Sequence, residues 1–264
     1  MMLFSTMFLY EYSIPTIFQA CIEAGYDGVE FWVETPHFWL TQDVPELNRY
    51  AEFIPALHAP VLDLNPCSVN QRVAELTIRE TLYSISLSQK LGCVPVTIHA
   101  GKRSAARNPV EEDRRALDRY IRICFRYARL KGVRLLLENS EPRINSLCKR
   151  ADEVEYYVKR YRLGITLDIS HALKAGEFHN MLRLIDLVEN IHVSGWDDSG
   201  RHISCRRSQK IEKVEEALRK IADTGYEGAI TVELDDLGYG LMDYRAKVEE
   251  LRKEREFLES IFRR

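Results

Sequence analysis

The segment Ser13–Trp32, SIPTIFQACIEAGYDGVEFW, reads as a helix that stops and passes at once into a strand. Ser13 stands at an N-cap position, Pro15 falls in the first turn, and Ile14, Ile17, Phe18, Cys21 and Ile22 recur at helical spacing. Gly25 supplies a left-handed stop, and the apolar run GVEFW follows. The same order recurs near the other end, in KIEKVEEALRKIADTGYEGAITVEL (210–234). There Ile211, Val214, Leu218 and Ile221 share a face and Gly225 precedes a second apolar run. The junctions GYDG and GYEG match, which points to repeated helix-to-strand units.

Between these ends the alternation continues through the strand candidates ALHAP (56–60), VPVTIHAG (94–101), VRLLLEN (133–139), GITLDIS (164–170) and NIHVSG (190–195). The helix grammar is plainest in NPVEEDRRALDRYIRICFRYARLKG (108–132). Asn108 and Pro109 are read as its opening, Glu111 and Glu112 suit the positive helix start, and Gly132 ends it. With LFSTMFL (3–9) as a first strand and a charged helix from about Met242, the chain contains eight strand-then-helix units. Its 264 residues match the size of a (β/α)8 TIM barrel, an α/β fold. No Pro-, Gly- or Ser-rich linker divides residues 1–264, so one domain is expected. A doubly wound open sheet is the rival, but no G-x-G-x-x-G follows the first strand and no Walker sequence is present.

Composition narrows the function classes. The chain is 45% hydrophobic and 29% charged with a formal net charge of -3, which gives no global electrostatic reason to expect a nucleic-acid partner, though local patches are compatible with it. Six cysteines are scattered without a CxxC pair and read as reduced thiols rather than a disulfide framework. The N-terminus MMLFSTMFLY lacks a basic region and a cleavage signal, and no run approaches the ~18 apolar residues of a membrane span. A cytoplasmic protein is the expectation.

In such a barrel the C-terminal ends of the strands converge on one mouth, where catalytic groups gather. Several apolar runs here end on polar residues: His58, His99, Glu138, Asp168, His192 and Glu233, with His171 just past the sixth strand and His202 in the loop after the seventh. A lone histidine at a strand end is ordinarily a hydrogen-bonded rim residue. As a set, however, carboxylates and imidazoles without nearby cations would repel one another and be poorly solvated, whereas a divalent cation satisfies both. A metal site is therefore expected, centred on Glu138, Asp168, His192 and Glu233, with His58, His99, His171 and His202 as a possible second metal or substrate site. Glu30 and Glu34 are read as rim or structural hydrogen-bonding groups. Lys102, Arg103, Arg107, Arg206, Arg207 and Lys210 are read as a solvated basic rim whose position would also suit a phosphate.

The ordered series GYDGVEFW, LHAPVLDLNP, VTIHAG, LLLEN, LDISH, NIHVSG, GRH and TVELDD resembles the xylose isomerase-like barrel superfamily, which includes sugar phosphate isomerases and epimerases and the endonuclease IV group. Likeness to ketose 3-epimerases implies that Glu138, Asp168, His192 and Glu233 hold one divalent ion (Mn, Co, Mg or Zn). It also implies that Glu138 and Glu233 transfer the proton and that His171 and Arg201 contact a small sugar or sugar phosphate. Likeness to endonuclease IV implies instead a three-zinc site for apurinic-site cleavage, built on His58, His99, Glu138, Asp168, His171, His192, His202 and Glu233. Three departures stand out: Gly200 replaces an acidic ligand in that pattern, Val61 replaces an aromatic residue after HAP, and HISCRRSQ replaces a Gly-rich turn. The preferred expectation is a metal-dependent isomerase or epimerase working through an enediolate. A zinc-dependent phosphodiesterase is the first alternative and a non-catalytic ligand-binding barrel the second; intact Glu138 and Glu233 argue against the latter.

Overall fold

The computed structural model describes residues 1–262. Its strands are β1 (Met2–Ser5), β2 (Gly28–Trp32), β3 (Ala56–His58), β4 (Val96–His99), β5 (Leu135–Glu138), β6 (Gly164–Asp168), β7 (Val188–Val193), β8 (Gly195–Trp196), β9 (His202–Ile203) and β10 (Ala229–Val232). Strands β1 to β7 and β10 form a closed parallel barrel, with β10 lying between β7 and β1, while β8 and β9 form a separate two-stranded antiparallel ribbon. The helices are α1 (Ile14–Ala24), α2 (Pro36–Thr41), α3 (Val44–Asn48), α4 (Gln71–Lys90), α5 (Glu111–Lys131), α6 (Ala151–Tyr161), α7 (Ile169–Ala175), α8 (Phe178–Leu182), α9 (Ile211–Asp223) and α10 (Tyr244–Phe262). Every barrel strand is thus followed by at least one helix, the architecture of a single-domain TIM barrel. Among the described residues no helix is long and apolar enough to cross a membrane.

Gly25 adopts φ 78° and its N–H reaches back to Cys21 and Ile22, the left-handed stop expected at the GYDG junction. Two local expectations need correction. LFSTMFL is a strand only as far as Ser5, after which Thr6–Leu9 turn as a 3-10 helix. Helix α5 begins at Glu111 rather than at Asn108 and Pro109, because Asp113 Oδ2 accepts the Val110 N–H at 2.8 Å and so caps the start two residues later.

Side chains alternate along a strand, so residues two apart share a face. The outward faces, such as Val29, Phe31, Leu57, Val96, Ile98, Leu137, Ile165, Leu167, Ile191 and Val232, join one apolar core beneath the helices. The inward faces are largely polar and fall into two layers, paired along each strand as Glu30 with Trp32, Thr97 with His99, Thr166 with Asp168, Asn190 with His192 and Thr231 with Glu233. Strand register levels the upper layer: His99 is the Cα partner of Glu138, and Asp168 that of His192.

The segment after β9 is clamped to α10. Glu250 Oε1 accepts Ser204 Oγ at 2.6 Å and Arg207 Nε at 2.8 Å, while Glu254 Oε1 accepts the Cys205 N–H at 2.6 Å. Arg206 lies 3.4 Å from both carboxylates. Arg206 and Arg207 are therefore not free rim cations. The two buried glutamates of α10 bind them and hold in place the segment that follows His202. Glu250→Ala should lower unfolding stability in urea by about 1–3 kcal/mol and speed amide exchange around Ser204–Ser208. An unchanged transition midpoint would remove this anchoring role.

Candidate metal centre

At the C-terminal end of the barrel, β5, β6, β7 and the residue after β10 bring Glu138, Asp168, His192 and Glu233 together, with one ligand atom from each inside a common 4.8 Å span. All four residues are buried. His192 Nδ1 lies 3.2 Å from Glu233 Oε2 and 3.6 Å from Glu138 Oε2. Asp168 is held from below and beside: Asn139 bonds its backbone N–H and C=O, and its Oδ1 accepts Ser170 Oγ at 2.9 Å and the His171 N–H at 2.6 Å. That leaves Asp168 Oδ2 facing the cluster.

Two flanking groups share these residues. His58, His99 and Glu138 form one, with Glu138 Oε2 2.8 Å from His99 Nε2 and 3.5 Å from His58 Nε2. His58 Nδ1 donates to the Ala59 carbonyl, so its Nε2 presents a lone pair to the group. Asp168, His171 and His202 form the other. The substitution of Gly200 for an acidic ligand leads one to expect His171 and His202 to lack a charged oxygen partner, but Asp168 reaches them from β6. His171 Nδ1 donates to the Asn139 carbonyl at 3.0 Å, leaving Nε2 free to accept. Asp197, the acidic residue three positions before Gly200, is occupied by the turn, where its Oδ1 accepts the Ser199 and Arg201 N–H groups.

The electrostatics follow from this crowding. Burial pushes Glu138 upward, but His99 and His192 outweigh it and hold the carboxyl well below its usual range. At Glu233 the same balance is struck against His192 and His202. Burial pulls His192 down, yet Glu30, Glu233 and Glu138 carry it well above an ordinary imidazole. His99 is raised by Glu138 against the effect of burial, and His202 rises to about 8 through Glu233. His171 goes the other way, because burial dominates.

Whether these residues suit a cation can be tested on their hydrogen bonds. Glu138 Oε2, Asp168 Oδ2, His192 Nδ1 and Glu233 Oε2 are all buried and lack a well-directed hydrogen bond, although Glu138 Oε2 is within ion-pair distance of His99 and His192 Nδ1 within that of Glu233. Buried polar atoms are ordinarily satisfied, and four orphaned acceptor-type atoms facing one point fit a divalent cation that takes mixed oxygen and nitrogen ligands.

Above the cluster lies a cavity of about 400 Å³. The lining near the ends of β1 to β3 is largely apolar (Met7, Trp32, Pro60, Val61, Leu64), while His171, Arg201, His202 and Glu233 line it from the segments after β6, β7 and β10. Arg201 donates from Nη1 to the Leu237 carbonyl at 2.8 Å, which ties the loop after β7 to the loop after β10. Glu34, read as a rim residue, accepts the Val61 and Leu62 N–H groups and shapes the loop after β3. Glu30 is different: it lies wholly inside the barrel, with His192 Nε2 2.7 Å from its Oε2. Its position two residues before Trp32, on the inward face, was the only sequence sign of that role.

The family model for the xylose isomerase-like TIM barrel matches residues 18–261. An uncharacterized protein of Methanocaldococcus jannaschii is 35% identical over 266 residues, which covers 97% of each chain. Among solved structures, the IolI protein with a bound zinc atom superposes with a TM-score of 0.80 at 15% identity, covering 100% of this chain and 99% of that one. An L-ribulose 3-epimerase gives 0.78 at 14% identity (99% and 94% covered), and a D-tagatose 3-epimerase-like protein gives 0.74 at 23% (98% of each). At these identities the solved structures establish the shared fold, and the family match spans nearly all of the sequence: the chain belongs to the xylose isomerase-like TIM barrel family.

Proposed function

We propose that the protein is a divalent-metal-dependent isomerase or epimerase of a small sugar, sugar phosphate or related carbonyl compound. One observation carries the reading: the four orphaned, buried atoms of Glu138, Asp168, His192 and Glu233 at the floor of a sugar-sized cavity. The sugar epimerases of the same fold, and the zinc atom in the IolI structure, support it.

Glu138, Asp168, His192 and Glu233 would hold the ion, in which case Glu138 and Glu233 combine ligand and proton-transfer roles. When bound, a divalent ion polarises a carbonyl and lowers the energy of negative charge developing on oxygen. The remaining work falls to the chain. Glu138 lies on β5 and Glu233 follows β10, with β6 and β7 between them around the barrel. A ketose lying between them meets one carboxylate from each side. One takes the proton from the carbon beside the carbonyl, and the other returns a proton to that carbon or its neighbour. His171, with its Nδ1 hydrogen committed to Asn139, accepts a substrate hydroxyl at Nε2, and Arg201 donates to a substrate oxygen from the cavity wall. The apolar wall near Trp32 limits water around the carbanionic carbon.

A second reading, a multi-zinc phosphodiesterase, is favoured by one specific observation: the flanking groups His58–His99–Glu138 and Asp168–His171–His202 are each compact enough to hold an ion. Metal content separates the two. Protein purified without added metal should carry about one ion per chain by elemental mass spectrometry, whereas two or three zinc ions per chain would favour the phosphodiesterase. Solvent deuterium should enter at least one member of a panel of ketoses and ketose phosphates. Incision of an apurinic-site duplex without any such exchange would overturn the isomerase assignment. Within the isomerase reading, Glu233→Gln should reduce turnover roughly 10²–10⁴-fold while part of the metal binding survives, because the amide keeps an oxygen but no longer serves as a base. His58→Ala should cost far less, and an equal loss in both variants would contradict the single-ion chemistry.

A further inference from the structure

Below the upper polar layer, the barrel holds a carboxylate that the proposed chemistry does not use. Glu30, on β2, is fully buried. Its Oε1 accepts Thr97 Oγ1 at 2.8 Å, and its Oε2 is 3.0 Å from Asn190 Nδ2 and 2.7 Å from His192 Nε2. No lysine or arginine is paired with it among the described residues, so its polar partners are a hydroxyl, an amide and one imidazole.

The direction of each bond can be worked out from what each group is able to give. Thr97 has a single hydroxyl hydrogen and spends it on Glu30, so Thr166 Oγ1 donates to Thr97 Oγ1 across 2.9 Å. Asn190 Oδ1 is taken by Thr231 Oγ1 at 2.9 Å, which turns the amide nitrogen toward Glu30. A carboxylate only accepts, so His192 Nε2 must carry the hydrogen it shares with Glu30. The other ring nitrogen, Nδ1, is then the one presented to Glu138 and Glu233. Strands β2, β4, β6 and β10 each contribute one member and β7 contributes two, so the carboxylate is held from several sides of the barrel and has little freedom to swing.

A neutral imidazole carries its hydrogen on either nitrogen, and the wrong choice would aim an N–H at a cation. Filling this space with apolar side chains would avoid the cost of desolvating a carboxylate and three donors. What the polar arrangement supplies is the orientation of one ring and a negative charge close behind it. We propose that Glu30 is a positioning residue of the metal centre, fixing His192 with hydrogen on Nε2 so that Nδ1 faces the ion and becomes a more basic ligand. This rests on the metal-centre reading above, which the experiment is arranged to test separately.

The test is a titration of metal-stripped protein with Mn²⁺, followed by calorimetry and by the free-ion EPR signal, for the wild type, Glu30→Gln and Glu30→Asp. Glu30→Gln should bind about 10–100-fold more weakly while keeping the wild-type circular dichroism spectrum. Glu30→Asp, which keeps the charge on a shorter stem, should recover part of that loss. Equal affinity in wild type and a folded Glu30→Gln would overturn the positioning role and leave the metal centre standing; a wild type that binds no Mn²⁺ would overturn both. Should Glu30→Gln fail to fold, a crystal structure of the metal-loaded wild type still decides the matter. Coordination through His192 Nδ1 with Nε2 on Glu30 is the expected arrangement, and coordination through Nε2, or Glu30 turned away from the ring, would contradict it.

Discussion

Three carboxylates and one imidazole turn buried atoms that lack well-directed hydrogen bonds toward the same small volume at the barrel mouth, and the rest of the structure is arranged around that convergence. Two like charges about 4 Å apart repel by roughly 4 kcal/mol at the effective dielectric of a protein. Set against a whole-domain stability of about 5–15 kcal/mol, three such carboxylates are costly without a cation. The imidazoles offset part of this, since His99, His192 and His202 are all drawn upward by the neighbouring carboxylates despite their burial. A divalent cation would compensate the negative charge directly and satisfy the orphaned atoms at the same time.

The barrel is well suited to holding such a cluster, because it confines polarity to the inside of the sheet. Alternation along each strand sends the aliphatic residues outward to the helices and the polar residues inward, so the apolar core lies around the polar interior rather than within it. Register places Asp168 beside His192 and His99 beside Glu138 without any contribution from loops. The loops add what the strands cannot reach: His171 from the start of α7, and Arg201 and His202 from the ribbon after β7, which is braced by Glu250 and Glu254 of α10. The ligand cluster therefore sits on rigid elements, while the groups expected to meet the substrate sit partly on anchored loops.

The barrel itself was legible in the sequence because each strand is a short apolar run bounded by a glycine stop or a helix start, and because GYDG and GYEG repeat the same junction. The convergence of Glu138, Asp168, His192 and Glu233 was legible for a related reason, as each ends an apolar run and all such ends meet at one mouth. Glu30 was legible only as a rim or structural hydrogen-bonding group, because it falls inside GVEFW rather than at its end, and only the barrel shows that its inward neighbours are Thr97, Asn190 and His192. Arg206 and Arg207 looked like free rim cations, since their partners lie more than forty residues away on α10. Position 200 has no carboxylate to give, but Asp168 lies close enough to serve His171 and His202, a proximity that depends on how the loop after β7 folds back over β6.

The proposed chemistry needs one cation among Glu138, Asp168, His192 and Glu233. Anomalous diffraction from crystals of the protein purified without added metal, or soaked in Mn²⁺, tests it most directly. A single strong peak is expected within about 2.0–2.3 Å of Glu138 Oε2, Asp168 Oδ2, His192 Nδ1 and Glu233 Oε2. A map with no peak among those atoms after Mn²⁺ soaking, or with its principal peak at another place in the molecule, would contradict it.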